Sequence, residues 1–223
     1  MDSSGIVGVV ACFGVALALV ITLAVWSSRR ERARVDALGQ WASGHGWTVA
    51  TRPAVDWGQR MPGHNRRGVT LALSGGLGGR SVTIAEYFYT QTTHNTTANA
   101  ASTSTTRTYQ YVLLVVRLQR PGPTMAVVER GALSRFGRTL FGDSATAVGQ
   151  EDFDRAYRVV SKDPMAMLSP SLVAEHVAGR LPEWSLYGNE LMTYRGGRIG
   201  EPASIPDQFG PLLRVAELLD HPR

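Results

Sequence analysis

The chain has 223 residues, of which 43% are hydrophobic and 18% are charged, and its formal net charge is +5. This length supplies one ordinary domain or two small lobes. The positive charge is not gathered into a stripe with interleaved aromatic residues, which argues against a nucleic-acid-binding protein. The single cysteine, Cys12, excludes a disulfide from the chain and a thiolate metal site from the rest of it.

The N-terminal stretch Gly5–Trp26 has no charge and no proline, and it predicts a transmembrane helix. As a helix it spans about 33 Å, enough to cross a hydrocarbon core of about 30 Å. The residues before it contain no lysine or arginine, which favours an anchor over a cleaved signal peptide. Cleavage between Ala24 and Ser27 is the alternative. We therefore assign residues 1–28 to a transmembrane anchor.

Four arginines follow this span and set its orientation, because positive residues close to a span stay on the cytoplasmic side. We expect a single-pass protein of the cell membrane, with the N-terminus outside and the C-terminal domain in the cytoplasm. The same arginines are candidate contacts to anionic lipid headgroups, although they serve equally well as topology signals alone. They are Arg29, Arg30, Arg32 and Arg34.

Residues 29–46 read as a juxtamembrane helix with one apolar stripe, formed by Val35, Leu38, Trp41 and Ala42. The remainder, residues 47–223, is predicted to be a cytoplasmic α+β domain. Its loop Trp57–Arg67 carries the densest polar cluster outside the anchor region, which indicates an anion-binding site or an ordinary solvated loop. The candidate anion contacts there are Arg60, His64, Arg66 and Arg67.

Alternating apolar residues predict a strand at Val69–Leu73 and a second one at Arg80–Thr90. The glycine-rich segment between them lacks the Lys-Ser/Thr ending of a phosphate loop and precedes a strand, so it indicates a hairpin turn. Residues 90–106 are almost entirely Thr, Ser, Asn, Gln and Ala, and we expect a mobile loop there. Arg107–Arg117 is apolar on both faces and predicts a central strand, antiparallel to Arg80–Thr90.

The C-terminal half predicts strands at Met125–Glu129 and Ala156–Val160, separated by an irregular excursion over residues 130–150. Helix starts are expected at Asp163–Pro164 and Ser169–Pro170, where a capping residue precedes a proline. A hairpin should turn at Gly188–Asn189, and a final helix should end near Asp220. The predicted fold class is α+β: a transmembrane helix, then a domain with a mostly antiparallel sheet of about six to eight strands flanked by helices.

The order of these features resembles uncharacterised single-pass membrane proteins of actinobacteria, related in pattern to a bacterial domain of unknown function. The resemblance covers nearly the whole chain and implies an α+β domain of unknown activity, without transferring catalytic residues. The segments that carry it are the anchor with its arginines, Leu38–Trp47, Glu86–Tyr89, Tyr111–Val116, Phe153–Val159, Asp163–Pro170, the hairpin that contains Trp184, and the terminal helix.

No motif assigns a catalytic residue, a cofactor or a metal, because the five histidines do not pair with one another or with acids at a suitable spacing. We therefore expect a membrane-anchored cytoplasmic interaction or scaffold module, non-enzymatic, with a protein partner in envelope-associated machinery and no nucleic acid. One alternative is an enzyme that acts on a lipid-linked or anionic substrate at the membrane surface. A weaker one is a small-molecule or lipid sensor with a pocket under Tyr87, Tyr89, Tyr109 and Tyr111.

Overall fold

The computed structural model describes the backbone of residues 3–95, 103–130, 145–161, 163 and 166–221. Within these ranges, the side chains of residues 3–18, 95, 103, 145 and 146 lie outside the description. The described chain forms an α+β fold in which one antiparallel sheet is flanked by helices. This confirms the predicted class of the domain.

The sheet contains nine strands, eight of at least four residues and one of two residues. They are β1 (Thr48–Thr51), β2 (Val69–Leu77), β3 (Arg80–Asn95), β4 (Thr103–Arg117), β5 (Met125–Glu129), β6 (Ala145–Thr146), β7 (Tyr157–Ser161), β8 (Trp184–Tyr187) and β9 (Glu190–Gly196). Their order across the sheet is β1-β2-β3-β4-β9-β8-β5-β7-β6. The last hairpin of the chain therefore lies in the middle of the sheet, beside β4 and β5.

The helices are α1 (Ser3–Gly44), α2 (Trp57–Arg60), α3 (Glu151–Ala156), α4 (Pro170–Val177), α5 (Ile205–Gln208) and α6 (Gly210–Asp220), with a 3₁₀ turn at Pro202–Ser204. The end of α1 packs with α4 and α6 on one face of the sheet, where the larger core includes Leu38, Leu172 and Val215. We call this the helix face. The opposite face is covered by the segment Pro53–Gly68, whose Trp57 and Met61 pack on Tyr87 and Leu113.

Helix α1 runs without a break across the predicted boundary between residues 28 and 29. Among the residues whose side chains are described, no helix is long and apolar enough to cross a membrane. The predicted transmembrane helix is thus not confirmed. Most of the predicted span, residues 5–18, lies outside the described side chains. Its described part, residues 19–26, consists of exposed and mainly apolar side chains such as Leu23 and Trp26.

Contacts at two points show that the last part of α1 runs along the strands. Near its C-terminal end, Trp47 packs its ring over Gly75, close to the β2–β3 turn at Gly78–Gly79. Further back, Arg34 bonds to Glu86, which pairs with Leu71, the partner of Thr51 at the end of β1. The part of α1 before Arg34 therefore leaves the sheet where β1 ends. We call this the Thr51 end of the sheet and the opposite one the Gly78 end.

A two-stranded ribbon also leaves the sheet at the Thr51 end. Beyond Tyr87 and Tyr111, no other described strand lies beside β3 and β4, which pair with each other as far as Asn95 and Thr103. Eight residues of each strand project about 26 Å at roughly 3.3 Å per residue.

The ribbon corrects the prediction of a mobile loop over residues 90–106, since residues 90–95 and 103–106 are strand; residues 96–102 lie outside the described chain. Threonine is β-branched and fits a strand, and Thr92 and Thr106 hydrogen-bond across the ribbon through their hydroxyls at 3.1 Å. The prediction of a loop rests on the lack of apolar residues alone and does not include the preference of threonine for strands.

Other differences are smaller. Helix α3 was not predicted, and β7 starts at Tyr157, one residue after its predicted start. Helix α4 confirms the start at Ser169–Pro170, where the Ser169 hydroxyl accepts a hydrogen bond from the amide of Leu172. Residues 131–144 of the expected excursion, and Pro164 of the other expected helix start, lie outside the described residues. The hairpin turn at Gly188–Asn189 and the terminal helix are confirmed.

Candidate functional site

A cavity with a volume of about 690 Å³ lies at the Thr51 end of the sheet. Three of its side chains are arginines and none is acidic. None of the three forms an ion pair with a carboxylate of the described residues. We call it the arginine cleft; its lining is Arg52, Pro53, Ala54, Val55, Arg66, Arg67, Val69, Thr70 and Phe88.

Arg52 enters the cleft directly after β1. Its backbone is in the left-handed region, at φ 49°, a conformation that non-glycine residues rarely adopt. Its amide donates a hydrogen bond of 2.9 Å to the carbonyl of Thr70, which fixes the turn against β2. No sequence pattern singles out Arg52, because only the fold brings it next to Arg66 and Arg67.

Asn65 positions the backbone segment that carries the other two arginines, Arg66 and Arg67. The Asn65 amide side chain donates to the carbonyl of Phe88 at 3.0 Å and accepts from the amide of Arg67 at 3.1 Å. The backbone amide of Asn65 donates to the Tyr87 hydroxyl at 3.1 Å, and that hydroxyl donates to the carbonyl of Pro62 at 2.6 Å. This network ties the segment that carries the arginines to β3.

Two predicted anion contacts are placed elsewhere. Arg60 is only 5% exposed and pairs with Glu190 and Asp56, while its guanidinium lies 5.2 Å from the ring centre of Tyr187. These contacts fix α2 to β9 and leave Arg60 no role as a free cation. His64 is exposed, and its Nδ1 lies 2.9 Å from the carbonyl of Gln59, but it does not line the cleft.

A second cavity of about 280 Å³ lies between α1 and the helix face, and it shares Thr70 and Phe88 with the arginine cleft. Four charged side chains surround it: Glu31, Arg34, Glu86 and Arg198. Glu86 accepts two hydrogen bonds from Arg34, at 2.8 and 2.9 Å, and one from the amide of Ile199 at 2.9 Å. The arginines and carboxylates of this cluster pair with one another, and these ion pairs join α1 to the sheet.

Glu31 completes the cluster. Hydrogen bonds from Arg198 and then from Arg34 lower the pKa of its carboxyl to about 2, so it is ionised at neutral pH. Among the four arginines that follow the predicted span, Arg34 therefore already pairs with the carboxylates of Glu31 and Glu86. Arg29, Arg30 and Arg32 are exposed, and the Arg30 guanidinium lies 5.7 Å from the ring centre of Trp26. These three stay candidate headgroup contacts.

The tyrosines of the predicted sensor pocket pack on one another. Tyr89 stacks on Tyr109 with ring centres 4.9 Å apart and on Tyr111 at 6.1 Å, and Tyr87 lies under the segment 53–68. Tyr87 and Tyr111 also line the smaller cavity. The aromatic side chains thus form much of the core of this face.

The histidines do not assemble into a site. Within the described residues, no group of three or more His, Cys, Asp or Glu side chains could hold a metal ion. His176 is fully buried beside Phe153, Tyr157 and Trp184, and its Nε2 accepts a hydrogen bond of 2.9 Å from the Trp184 indole. Burial lowers the pKa of His176 to about 4, which makes it a neutral core residue at pH 7.

Comparison with known proteins adds no relative: no family model, no curated protein and no solved structure matches this chain. The resemblance to actinobacterial membrane proteins stays a prediction.

Proposed function

We propose that this chain is a membrane-anchored, non-enzymatic interaction module that binds an anionic group in the arginine cleft. The observation that carries the proposal is the convergence of Arg52, Arg66 and Arg67 on one cavity whose lining contains no acidic side chain. Guanidinium groups bind phosphate and carboxylate through paired hydrogen bonds, and three of them create a strongly positive cavity. A partner in envelope-associated machinery could supply the anion.

The anchor is part of the same proposal. Its support is the uncharged sequence Gly5–Trp26, the exposed apolar side chains at the described end of that stretch, and the Trp26–Arg30 pair, a combination typical of a membrane–water interface. The arginines after the span favour a domain on the cytoplasmic side. Reporter proteins fused to each end of the chain test this orientation.

An enzyme acting on an anionic substrate at the membrane is the second candidate, and the arginine cleft is the feature that favours it. Binding alone needs only the cations. Catalysis would also need a nucleophile or a general acid or base at the bound group, and the side chains that line the cleft include none except the hydroxyl of Thr70. The interaction module is therefore the function that the geometry supports best.

The proposal is tested by thermal unfolding of the full chain in neutral detergent, with inorganic phosphate titrated against sodium chloride of equal ionic strength. A ligand that binds only the folded protein raises the unfolding midpoint. We expect this rise in the wild type and its loss in Arg52→Asn/Arg66→Gln/Arg67→Gln, where asparagine tolerates the left-handed backbone.

The matched control removes three exposed arginines outside the cleft, as Arg155→Gln/Arg180→Gln/Arg214→Gln. Its response to phosphate should equal that of the wild type. An equal loss of response in both triple variants would show that phosphate acts through net charge, and the proposed site would be rejected.

A further inference from the structure

The arginine cleft is only partly polar. Its lining also includes Pro53, Val55, Val69 and Phe88, and Phe88 borders the smaller cavity beside α1 as well. A free inorganic anion would contact the guanidinium groups and leave this apolar lining exposed to water. A ligand that covers both parts must carry an anionic group and an apolar group next to each other.

The position of the cleft restricts the ligand further. Arg52 follows the end of β1, and Arg66 and Arg67 precede the start of β2, so all three lie at the Thr51 end, where α1 leaves the sheet. The exposed arginines Arg29 and Arg30 lie in the same departing part of α1. If α1 continues into a bilayer, as proposed above, this end of the sheet is the one nearest to the lipid headgroups.

We propose that the arginine cleft takes the headgroup of an acidic phospholipid, with the phosphate between Arg52, Arg66 and Arg67 and the first part of the lipid chain against Phe88. This inference rests on the proposed function, because it names the ligand of the same site. A zwitterionic lipid such as phosphatidylcholine carries a cationic ammonium group that three arginines repel. The cleft should therefore select acidic over zwitterionic headgroups.

The experiment titrates the full chain, in micelles of a neutral detergent, with four compounds: dioctanoyl phosphatidylglycerol, dioctanoyl phosphatidylcholine, glycerol phosphate and inorganic phosphate. The readout is the midpoint of thermal unfolding at constant ionic strength. The two lipids share their chains and so partition similarly into micelles, and glycerol phosphate supplies the anion without a chain.

We expect phosphatidylglycerol to raise the unfolding midpoint at concentrations about tenfold lower than those that the other three compounds require. A ligand that lacks one charge-assisted hydrogen bond or one apolar contact binds about tenfold more weakly. Arg52→Asn/Arg66→Gln/Arg67→Gln should lose the response to every anion. Phe88→Ala should weaken the response to phosphatidylglycerol about tenfold and leave that to glycerol phosphate unchanged, because it removes only the apolar contact.

Three results would overturn the inference. Equal responses to both lipids would exclude headgroup selection. Equal responses to phosphatidylglycerol and glycerol phosphate would show that the lipid chain does not contribute to binding. The cleft would then be a site for soluble anions, which rejects this inference but not the proposed function. No response to any anion, or an unchanged response in the cleft variant, would reject the proposed function together with this inference.

Discussion

At the scale of single residues, Glu86 links α1 to the rest of the protein. Glu86 is 6% exposed, and its carboxylate accepts hydrogen bonds from Arg34, from Arg198 at 3.3 Å and from the amide of Ile199. Arg34 lies in α1 and Ile199 follows β9, so one side chain joins three distant parts of the sequence. A buried charge of this kind is stable only while all its partners are present.

Replacement of Glu86 by glutamine tests this role. The amide keeps the shape of the side chain but removes one of the two carboxylates that pair with Arg34, the other being Glu31. We expect the free energy of unfolding to fall by about 2–4 kcal/mol. Urea denaturation at pH 7 measures the loss. The control is Glu151→Gln, which removes an exposed carboxylate paired with Arg155 and should have a much smaller effect. Equal losses would contradict the role of Glu86.

His176 should make stability depend on pH. Its folded pKa of about 4 is below the ordinary value near 6.5, so the unfolded chain binds the proton more tightly. The free energy of unfolding should therefore fall as pH decreases from about 6.5 to 4, by at most about 1.4 kcal/mol per unit. Below pH 4 this contribution becomes constant.

Urea denaturation at pH 7, 6, 5 and 4 measures the slope. His176→Gln keeps an acceptor for the Trp184 indole and removes the titration, so its stability should be flatter over this interval. Glu31, with its lowered pKa of about 2, causes loss of stability only below about pH 4.5. Its contribution at pH 4 is the same in the wild type and the variant, so it cancels in their difference. An unchanged slope in the variant would show that another group titrates.

At the scale of elements, the segment Pro53–Gly68 positions the cleft because it packs closely on β3. A Cβ at Gly68 would lie 2.4 Å from the Tyr87 ring and 2.5 Å from the carbonyl of Phe88. Gly68→Ala must therefore displace the segment, and we expect a loss of about 1–3 kcal/mol in stability and a weaker response to phosphate. The two effects are measured by urea denaturation and by phosphate titration.

Gly76→Ala is the matched control for this substitution. Gly76 lies within β2, and a Cβ there meets no atom within 4 Å. Its stability and its response to phosphate should stay close to those of the wild type. If Gly68→Ala behaves like the control, the close contact with Tyr87 does not position the arginines.

The ribbon should be dispensable for folding, although it is strand and not loop. Joining Gln91 to Arg107 through an Asn-Gly turn, in place of residues 92–106, shortens the ribbon at a native cross-strand pair. Because the removed side chains that are described are exposed or half-buried, the unfolding midpoint should change by less than about 3 °C. Loss of cooperative unfolding in calorimetry would show that the ribbon contributes to the core.

Sequence patterns predicted those elements whose signal is local. The alternation of apolar residues located β2 and β3, apolar residues on both faces located β4, and turn residues located the hairpin at Gly188–Asn189. The hairpin turn predicted over the glycine-rich stretch Ser74–Gly79 is limited to Gly78–Gly79, because Ser74–Leu77 continue β2. The ribbon was missed because its threonines carry no apolar pattern. The cleft was only half predicted: Arg66 and Arg67 lie in a conspicuous polar loop, whereas Arg52 reaches them through the pairing of β1 with β2.

At the scale of the whole molecule, the strand order explains what the sequence could not indicate. Strand β9 inserts beside β4, and β5 pairs with β8 and β7, so neighbours in the sheet are distant in the chain. No local pattern specifies such pairings, because they depend on the closure of long loops around a common core. The same topology places α1, the ribbon and the arginine cleft at the Thr51 end.

The claim that the arginine cleft faces the membrane is tested by measuring how close the cleft lies to the bilayer surface. Cys12 is the only cysteine, so Cys12→Ser provides a background for a spin label at Ala54→Cys, inside the cleft, or at Gly76→Cys, toward the Gly78 end. In bilayers with nickel chelated on the headgroups, electron paramagnetic resonance reports how closely each label approaches the surface. We predict strong relaxation at position 54 and little at position 76. Equal relaxation at both positions, or stronger relaxation at position 76, would contradict a cleft that faces the membrane.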